Sequence, residues 1–209
     1  MQKRVLMQKK YFITGISTEV GKTVASAIVT EALEADYWKP VQAGDLENSD
    51  THKVKRLVTN NKSVFHTNAY ALQTPMSPHA AAEIDEVTIR LEDIIEPQTQ
   101  NNLVVEGAGG LLVPLNDTTT ILDIIKPEYK VIVVSRHYLG SINHTLLTVN
   151  LLKEKGFDVA VIFSGNEHKT TEGIIQKMTN VPVIGRIEEE PYFDQNVIKE
   201  YAELFKDKL

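Results

Sequence analysis

The segment Gly15-Ile16-Ser17-Thr18-Glu19-Val20-Gly21-Lys22-Thr23 constrains this chain more than any other stretch. It follows a short apolar run, Tyr11-Phe12-Ile13-Thr14. It leads into residues 22–35, where Val24, Ala25, Ile28 and Ala32 recur at helical spacing. Strand, glycine-bounded loop and helix, in that order, form the setting in which backbone N–H groups turn inward around phosphate oxygens. The partial positive charge of the helix N-terminus adds to the attraction. Lys22 would then reach the β- and γ-phosphates of a nucleotide, and the Thr23 hydroxyl would ligate Mg2+. The spacing is Gly-x5-Gly-Lys-Thr, one residue longer than the standard Gly-x4-Gly-Lys-Ser/Thr. A glycine turn that merely caps a helix is the competing reading, and a Gly-Lys-Thr triplet alone is common by chance. The flanking strand and helix therefore carry the argument. Glu19 is out of character in an anion cradle, so its carboxylate is expected to face away from the phosphates or to be neutralised.

A strand feeding a phosphate loop implies neighbours of the same kind, and the chain supplies them. Tyr37-Trp38-Lys39, closed by Pro40, reads as a brief strand. Leu103-Val104-Val105-Glu106, Lys130-Val131-Ile132-Val133-Val134, Val159-Ala160-Val161-Ile162-Phe163 and the weaker Val183-Ile184-Gly185 follow. Continuous β-branched runs without alternation mark parallel strands buried on both faces. Helices are expected over 51–59, 79–84, 91–96, 141–155, 170–179 and 195–206. The fold class is therefore α/β, a P-loop NTPase-type parallel sheet with helices on both faces. Residues 62–78 form the least regular stretch. One domain is expected over 10–209. Residues 1–9, basic and without the apolar run and cleavage site of a signal peptide, read as a disordered lead-in, and the repeated Met-Gln-Lys allows a start at Met7.

Composition removes several chemistries. With no Cys, thiol nucleophiles, Fe–S clusters and Cys-type zinc sites are excluded. The 6 His fall at 52, 66, 79, 137, 144 and 168 without a His-Glu-x-x-His pair, so a structural metal site has little support. A net charge of -6 leaves no nucleic-acid footprint. No apolar run approaches the roughly 20 residues that span a bilayer, so a cytoplasmic protein without membrane partners is expected.

A phosphate loop needs a second carboxylate for Mg2+, usually at the end of a neighbouring strand. Glu106 ends such a strand and precedes Gly107-Ala108-Gly109-Gly110, which permits close backbone approach to a ligand. An exposed acidic strand end is the alternative. Asp50, after Asn48-Ser49 and before a helix, is either a second acidic ligand or a helix N-cap. Lys39, at a strand terminus, is either a solvated surface charge or a cation that lines the crevice near Lys22.

Taken together the motifs resemble the dethiobiotin synthetase family. Its phosphate loop reads close to Gly-Thr-Asp-Thr-Glu-Val-Gly-Lys-Thr, with the same extra residue. Lys39-Pro40-Val41, Asn48-Ser49-Asp50, Ser77-Pro78-His79, Val105-Glu106-Gly107-Ala108-Gly109-Gly110 and Leu139-Gly140-Ser141-Ile142-Asn143-His144 are similar to further family motifs in family order. The resemblance implies an ATP-dependent cyclo-ligase of biotin biosynthesis. It would convert 7,8-diaminopelargonic acid, CO2 (or bicarbonate) and MgATP into dethiobiotin, ADP and phosphate through a carbamate and a mixed carbamic–phosphoric anhydride. It further implies that Lys39, Lys22 and Thr18 are catalytic, and that Thr23, Asp50 and Glu106 ligate Mg2+. Glu19, Val20, Gly21, Lys22, Thr23, Val24, Asp50, Glu106, Gly107, Ala108 and Gly109 would contact ATP. Asn166, Glu167, Ile187, Glu188, Glu189 and Glu190 would do so on the adenine side. Thr18, Lys39, Ala43, Gly109, Leu139 and Asn143 would bind substrate, with Asn143 reaching across a homodimer whose substrate site lies at the subunit interface.

Departures from the family pattern are Ser17 in place of Asp, Ala43 in place of Ser or Thr, Arg136-His137-Tyr138 where smaller residues are common, and the poorly matching 187–191. A ParA/MinD-type switch ATPase is the main rival, but it carries a second lysine early in the loop, and Gly15-Ile16-Ser17 offers none. A GTPase would want Asn-Lys-x-Asp, and Asn61-Lys62-Ser63-Val64 lacks the Asp. A non-catalytic regulatory domain is disfavoured by the presence of Lys22, Lys39, Asp50 and Glu106.

Overall fold

The β-branched runs do assemble into a buried parallel sheet. The computed structural model describes residues 8–209, so the first seven residues of the expected lead-in, and the possible start at Met7, lie outside the described residues. At the end of that stretch, Gln8 donates to the Asn101 carbonyl, and the Lys9 N–H donates to Asn102 Oδ1 at 2.9 Å.

The chain runs β1 (Lys10–Gly15), α1 (Lys22–Leu33), β2 (Asp36–Trp38), β3 (Val41–Ala43), α2 (Asp50–Leu57), β4 (Phe65–His66), β5 (Tyr70–Leu72), α3 (Pro78–Ile84) and β6 (Leu103–Glu106). It continues through β7 (Lys130–Arg136), α4 (Ser141–Glu154), β8 (Asp158–Ser164), α5 (Lys169–Thr179), β9 (Val183–Ile187) and α6 (Gln195–Phe205). Seven strands form one sheet in the order β4-β2-β6-β1-β7-β8-β9, paired parallel throughout. The core is this sheet: Phe12, Ile13, Val104, Val105, Val131, Ile132 and Val161 are fully buried. Helix α1 packs with α2 and α6, while α4 packs with α5, which covers the sheet with two groups of helices. No helix among the described residues is long and apolar enough to cross a membrane.

The topology decides where a ligand can sit. From β1 the chain crosses to β2, beyond β6 on one side, and later returns through β7 on the other. Strand order therefore reverses around β1, and the crevice of such a sheet opens at the carboxyl ends of its strands at that point. The loop after β1 lies there.

Two expectations need correction. The helix expected over 91–96 is a single 3-10 turn, Leu91–Asp93. Pro97 disfavours helical backbone at Glu96, and too few residues remain to repay helix nucleation. Glu96 instead receives Lys10, Lys126 and Tyr129. The irregular stretch 62–78 holds β4 on the sheet edge and β5, which pairs with β3 in a separate two-stranded sheet. Strands of two and three residues are too short to show a period.

Candidate functional site

The loop after β1 is shaped by its glycines. A Cβ on Gly15 would lie 2.5 Å from Val20 Cγ2 and 2.8 Å from the Ser17 carbonyl oxygen, so the loop closes over a position that only glycine fits. Gly21 ends the loop at φ 95, in the left-handed region that favours glycine. Glu19 adopts φ 54 without that freedom and is solvent-exposed. Val20 is buried in the core and anchors the loop. Lys22 Nζ donates to the Ser17 carbonyl at 3.2 Å and straps the loop across its own helix start.

Behind the loop lies a chain of polar contacts with Glu106 at its centre. Glu106 is 1% exposed, so the reading of an exposed strand end is excluded. Its Oε1 accepts from Thr23 Oγ1 at 3.1 Å and from Lys39 Nζ at 3.1 Å, and its Oε2 accepts from the Tyr37 hydroxyl at 2.9 Å. Lys39 is 4% exposed and so is not a solvated surface charge. Its ammonium also donates to Asp50 Oδ2 at 2.7 Å and thus bridges the two carboxylates. Asp50 is free for this because Ser49 takes the cap: its hydroxyl accepts from the His52 N–H, and Asp50 is the first residue of α2. The N-cap reading of Asp50 is therefore corrected by one position. Ser49 has the extended backbone (ψ 166) that an N-cap requires.

Burial and charge act on the two lysines in opposite balance. Burial pushes Lys22 down to about 8, with the Lys39 charge adding to the shift while Glu106 and Asp50 oppose it. Burial also disfavours the charged form of Lys39, but there Glu106 and Asp50 prevail and hold it above the ordinary lysine value. Asp50 is held below the usual carboxylate range. Burial opposes this, and the Lys39 charge and hydrogen bond together with the Thr23 hydroxyl outweigh it.

These groups face a cleft of about 1020 Å³. Of the residues singled out in the sequence, Thr18, Glu19, Gly21, Lys22, Thr23, Val24, Lys39, Ala43, Asp50, Glu106, Ala108, Gly109 and Ile187–Glu190 line it. Val20 and Gly107 lie behind the surface, and a Cβ on Gly107 would meet the Phe12 ring at 3.0 Å. Asn166, Glu167, Leu139 and Asn143 are exposed and lie outside the cleft lining. Tyr37, the wall formed by Ser164 and Gly165, and Phe193 belong to the site without any mark in the sequence. Tyr37 looked like any strand aromatic, and nothing local marks it. Arg136 also lines the cleft, although in the sequence it stood out only as a departure.

Among the described residues, no three His, Cys, Asp or Glu side chains gather as a metal-ligand group. Two carboxylates and the Thr23 hydroxyl form an oxygen-only donor set. That set suits a cation such as Mg2+, which keeps waters and takes its remaining ligands from substrate phosphates. A second, smaller cavity of about 440 Å³ adjoins the loop, lined by Ser17, Thr18, Gly110, Leu111, Val113, Leu147 and Leu151 among others, and it is mainly apolar.

Comparison with known proteins places the fold and the relatives. The family model of an AAA domain matches residues 9–197. The ATP-dependent dethiobiotin synthetase of Christiangramia forsetii is 65% identical, over 97% of this chain and 99% of its own. That of Cytophaga hutchinsonii is 49% identical over 93% and 95%, and that of Chlamydia pneumoniae 38% over 95% and 90%. Among solved structures, the MinC:MinD cell division protein complex of Aquifex aeolicus superposes with a TM-score of 0.60 at 14% identity, over 96% of this chain and 95% of that one. A ParA family ATPase of Chlorobium tepidum gives 0.56 at 12% identity, over 94% and 98%. At such identities these two share the fold.

Proposed function

The chain belongs to the ATP-dependent dethiobiotin synthetase family, and from that premise we propose that it closes the ureido ring of dethiobiotin from 7,8-diaminopelargonic acid, CO2 and ATP. The observation that carries this reading is the Lys39 ammonium held between Asp50 and Glu106 in the wall of a cleft that also contains the phosphate loop. A switch ATPase needs a phosphate site. A carboxylating ligase needs, in addition, a fixed cation for an anionic intermediate beside it.

In the proposed sequence one substrate amine adds CO2 and gives a carbamate. Lys39, Lys22 and Thr18 hold its negative charge. A carbamate oxygen attacks the γ-phosphorus, the bond to the bridging oxygen breaks, and ADP leaves. The resulting carbamic–phosphoric anhydride is attacked at carbon by the second amine, which closes the ring and expels phosphate. Holding both amines of one molecule in the site makes this last step effectively unimolecular. Lys22, at the helix start, stabilises charge on the transferred phosphoryl group. Mg2+ held by Thr23, Asp50 and Glu106 would neutralise phosphate oxygens. Each carboxylate keeps lone pairs beyond those that accept from Lys39.

The nucleotide is proposed to extend from the loop past Gly165 toward 187–190, with Asn166 and Glu167 at that end. The adjoining apolar cavity suits the alkyl chain of the diamine. Leu139 and Asn143 are exposed beside Tyr138 and Ile142, and a homodimer would bring this segment of a second copy to the substrate. A cytoplasmic location is part of the same proposal.

The test is direct. Purified protein is incubated with MgATP, bicarbonate and 7,8-diaminopelargonic acid, and dethiobiotin is sought by mass spectrometry alongside released phosphate. Dethiobiotin formed in step with phosphate is the expected result. ATP turnover indifferent to the diamine would overturn the proposal.

A further inference from the structure

Beyond β9 the cleft wall consists of three consecutive glutamates, Glu188, Glu189 and Glu190. Each bare carboxylate within about 4 Å of a nucleotide phosphate would cost about 1 kcal/mol even at the dielectric of water. The structure gives every one of them a donor. Arg186 Nε donates to Glu188 Oε1 at 2.7 Å, Arg136 Nη2 to Glu189 Oε1 at 2.6 Å, and the Tyr201 hydroxyl to Glu190 Oε1 at 2.6 Å. The Tyr201 hydroxyl also accepts from the Glu188 N–H at 3.0 Å, which pins the backbone itself.

Arg186 is the common point of this arrangement. Besides Glu188, its Nη1 donates to both oxygens of Glu172 on α5, at 2.8 and 3.0 Å, and its Nη2 lies 3.5 Å from Glu167. One planar guanidinium therefore ties the segment after β9 to α5 and to the turn after β8. Glu172 is itself oriented by His137 Nε2 at 3.0 Å and by the His168 N–H at 3.3 Å. An ammonium cannot present a fixed fork to several carboxylates at once. Arg186 is not among the residues lining the cleft, so it reaches a ligand only through the carboxylates it holds, Glu188 and Glu167.

We infer that Arg186 is a positioning residue for the base end of the nucleotide. It holds 187–190 as a preformed wall and keeps the Glu188 carboxylate turned away from the phosphates. The inference rests on the proposed reading of the cleft as an ATP site.

Titration calorimetry on the full chain with two probes tests it. MgATP needs both ends of the cleft, whereas magnesium tripolyphosphate needs only the loop. Arg186→Gln should weaken MgATP binding about tenfold, the size of one charge-assisted contact, and leave tripolyphosphate within twofold of wild type. Arg186→Lys should recover only part of the loss. Unchanged MgATP affinity in Arg186→Gln, a parallel loss of tripolyphosphate, or full recovery with lysine would each overturn the inference. A wild-type protein that binds tripolyphosphate no more weakly than MgATP would overturn the reading of a base site, and the inference with it.

Discussion

Asp36 and Glu106 are both buried carboxylates on adjacent strands, yet they lie at opposite ends of the same sheet. Asp36 opens β2 at the amino edge, and Glu106 closes β6 at the carboxyl edge. Asp36 accepts from the Val64 N–H at 2.9 Å, Thr99 Oγ1 at 2.6 Å, Asn101 Nδ2 at 3.1 Å and His66 Nε2 at 3.2 Å. Burial disfavours its charge, but these donors outweigh it and hold its pKa below the usual carboxylate range. Its partners tie one loop to another, and neither they nor Asp36 line the cleft or the smaller cavity beside it. Glu106 instead faces a cleft and shares its oxygens with an ammonium and with the hydroxyl of a phosphate-loop threonine. A closed set of donors makes a staple. A set that opens on a cavity and includes a fixed cation makes a site. Equal burial therefore says little about role, and the identity of the donors says much.

The strongest way to sharpen this contrast is Lys39→Gln. Turnover should fall by about 10²–10³-fold, the scale for losing one preorganised charge donor, while MgATP affinity stays within a few-fold. Wild-type turnover would remove Lys39 from the chemistry. At the other edge, Asp36→Ala should lower unfolding free energy by about 1–3 kcal/mol, because the Val64 N–H and the side chains of Thr99, Asn101 and His66 lose their shared acceptor. Turnover per folded molecule should hold, as denaturant titration with parallel assays would reveal. A specific loss of ATP binding there would erase the contrast.

Thr23→Val should raise the Mg2+ concentration for half-maximal activity by about tenfold, the equivalent of one hydrogen bond to a charged group. An identical Mg2+ titration would refute the ligand role.

A further effect concerns pH. Burial lowers Lys22 to about 8 in the free protein, and bound phosphates would favour its charged form again. Above pH 8 binding must therefore take up a proton, so the Kd for MgATP should rise by up to tenfold per pH unit. A Kd flat between pH 7 and 9.5 would contradict this.

How much of this was legible beforehand depended on the range of the interaction. The phosphate loop, the main-sheet strands other than β4, and Glu106 with its glycine run were readable because each is a local pattern. Asp50 was ambiguous because Ser49 and Asp50 are both good caps, and only the extended backbone of Ser49 assigns the task. Tyr37 and Arg186 gave no usable signal, and Arg136 stood out only as a departure from the family pattern. Apart from Glu188, two residues after Arg186, their partners Glu106, Glu189 and Glu172 lie 69, 53 and 14 residues away in the chain, too far for any spacing rule to pair them.

The sequence by itself determined that this chain forms a parallel sheet with a phosphate loop after its first strand. Both features follow from φ/ψ preferences and hydrophobic period within a dozen neighbouring residues. Only the tertiary structure decided that Lys39 is a buried bridge and that each of the three glutamates after β9 is held by a donor. The charge state and orientation of a buried side chain depend on which distant groups the fold places within about 3 Å of it.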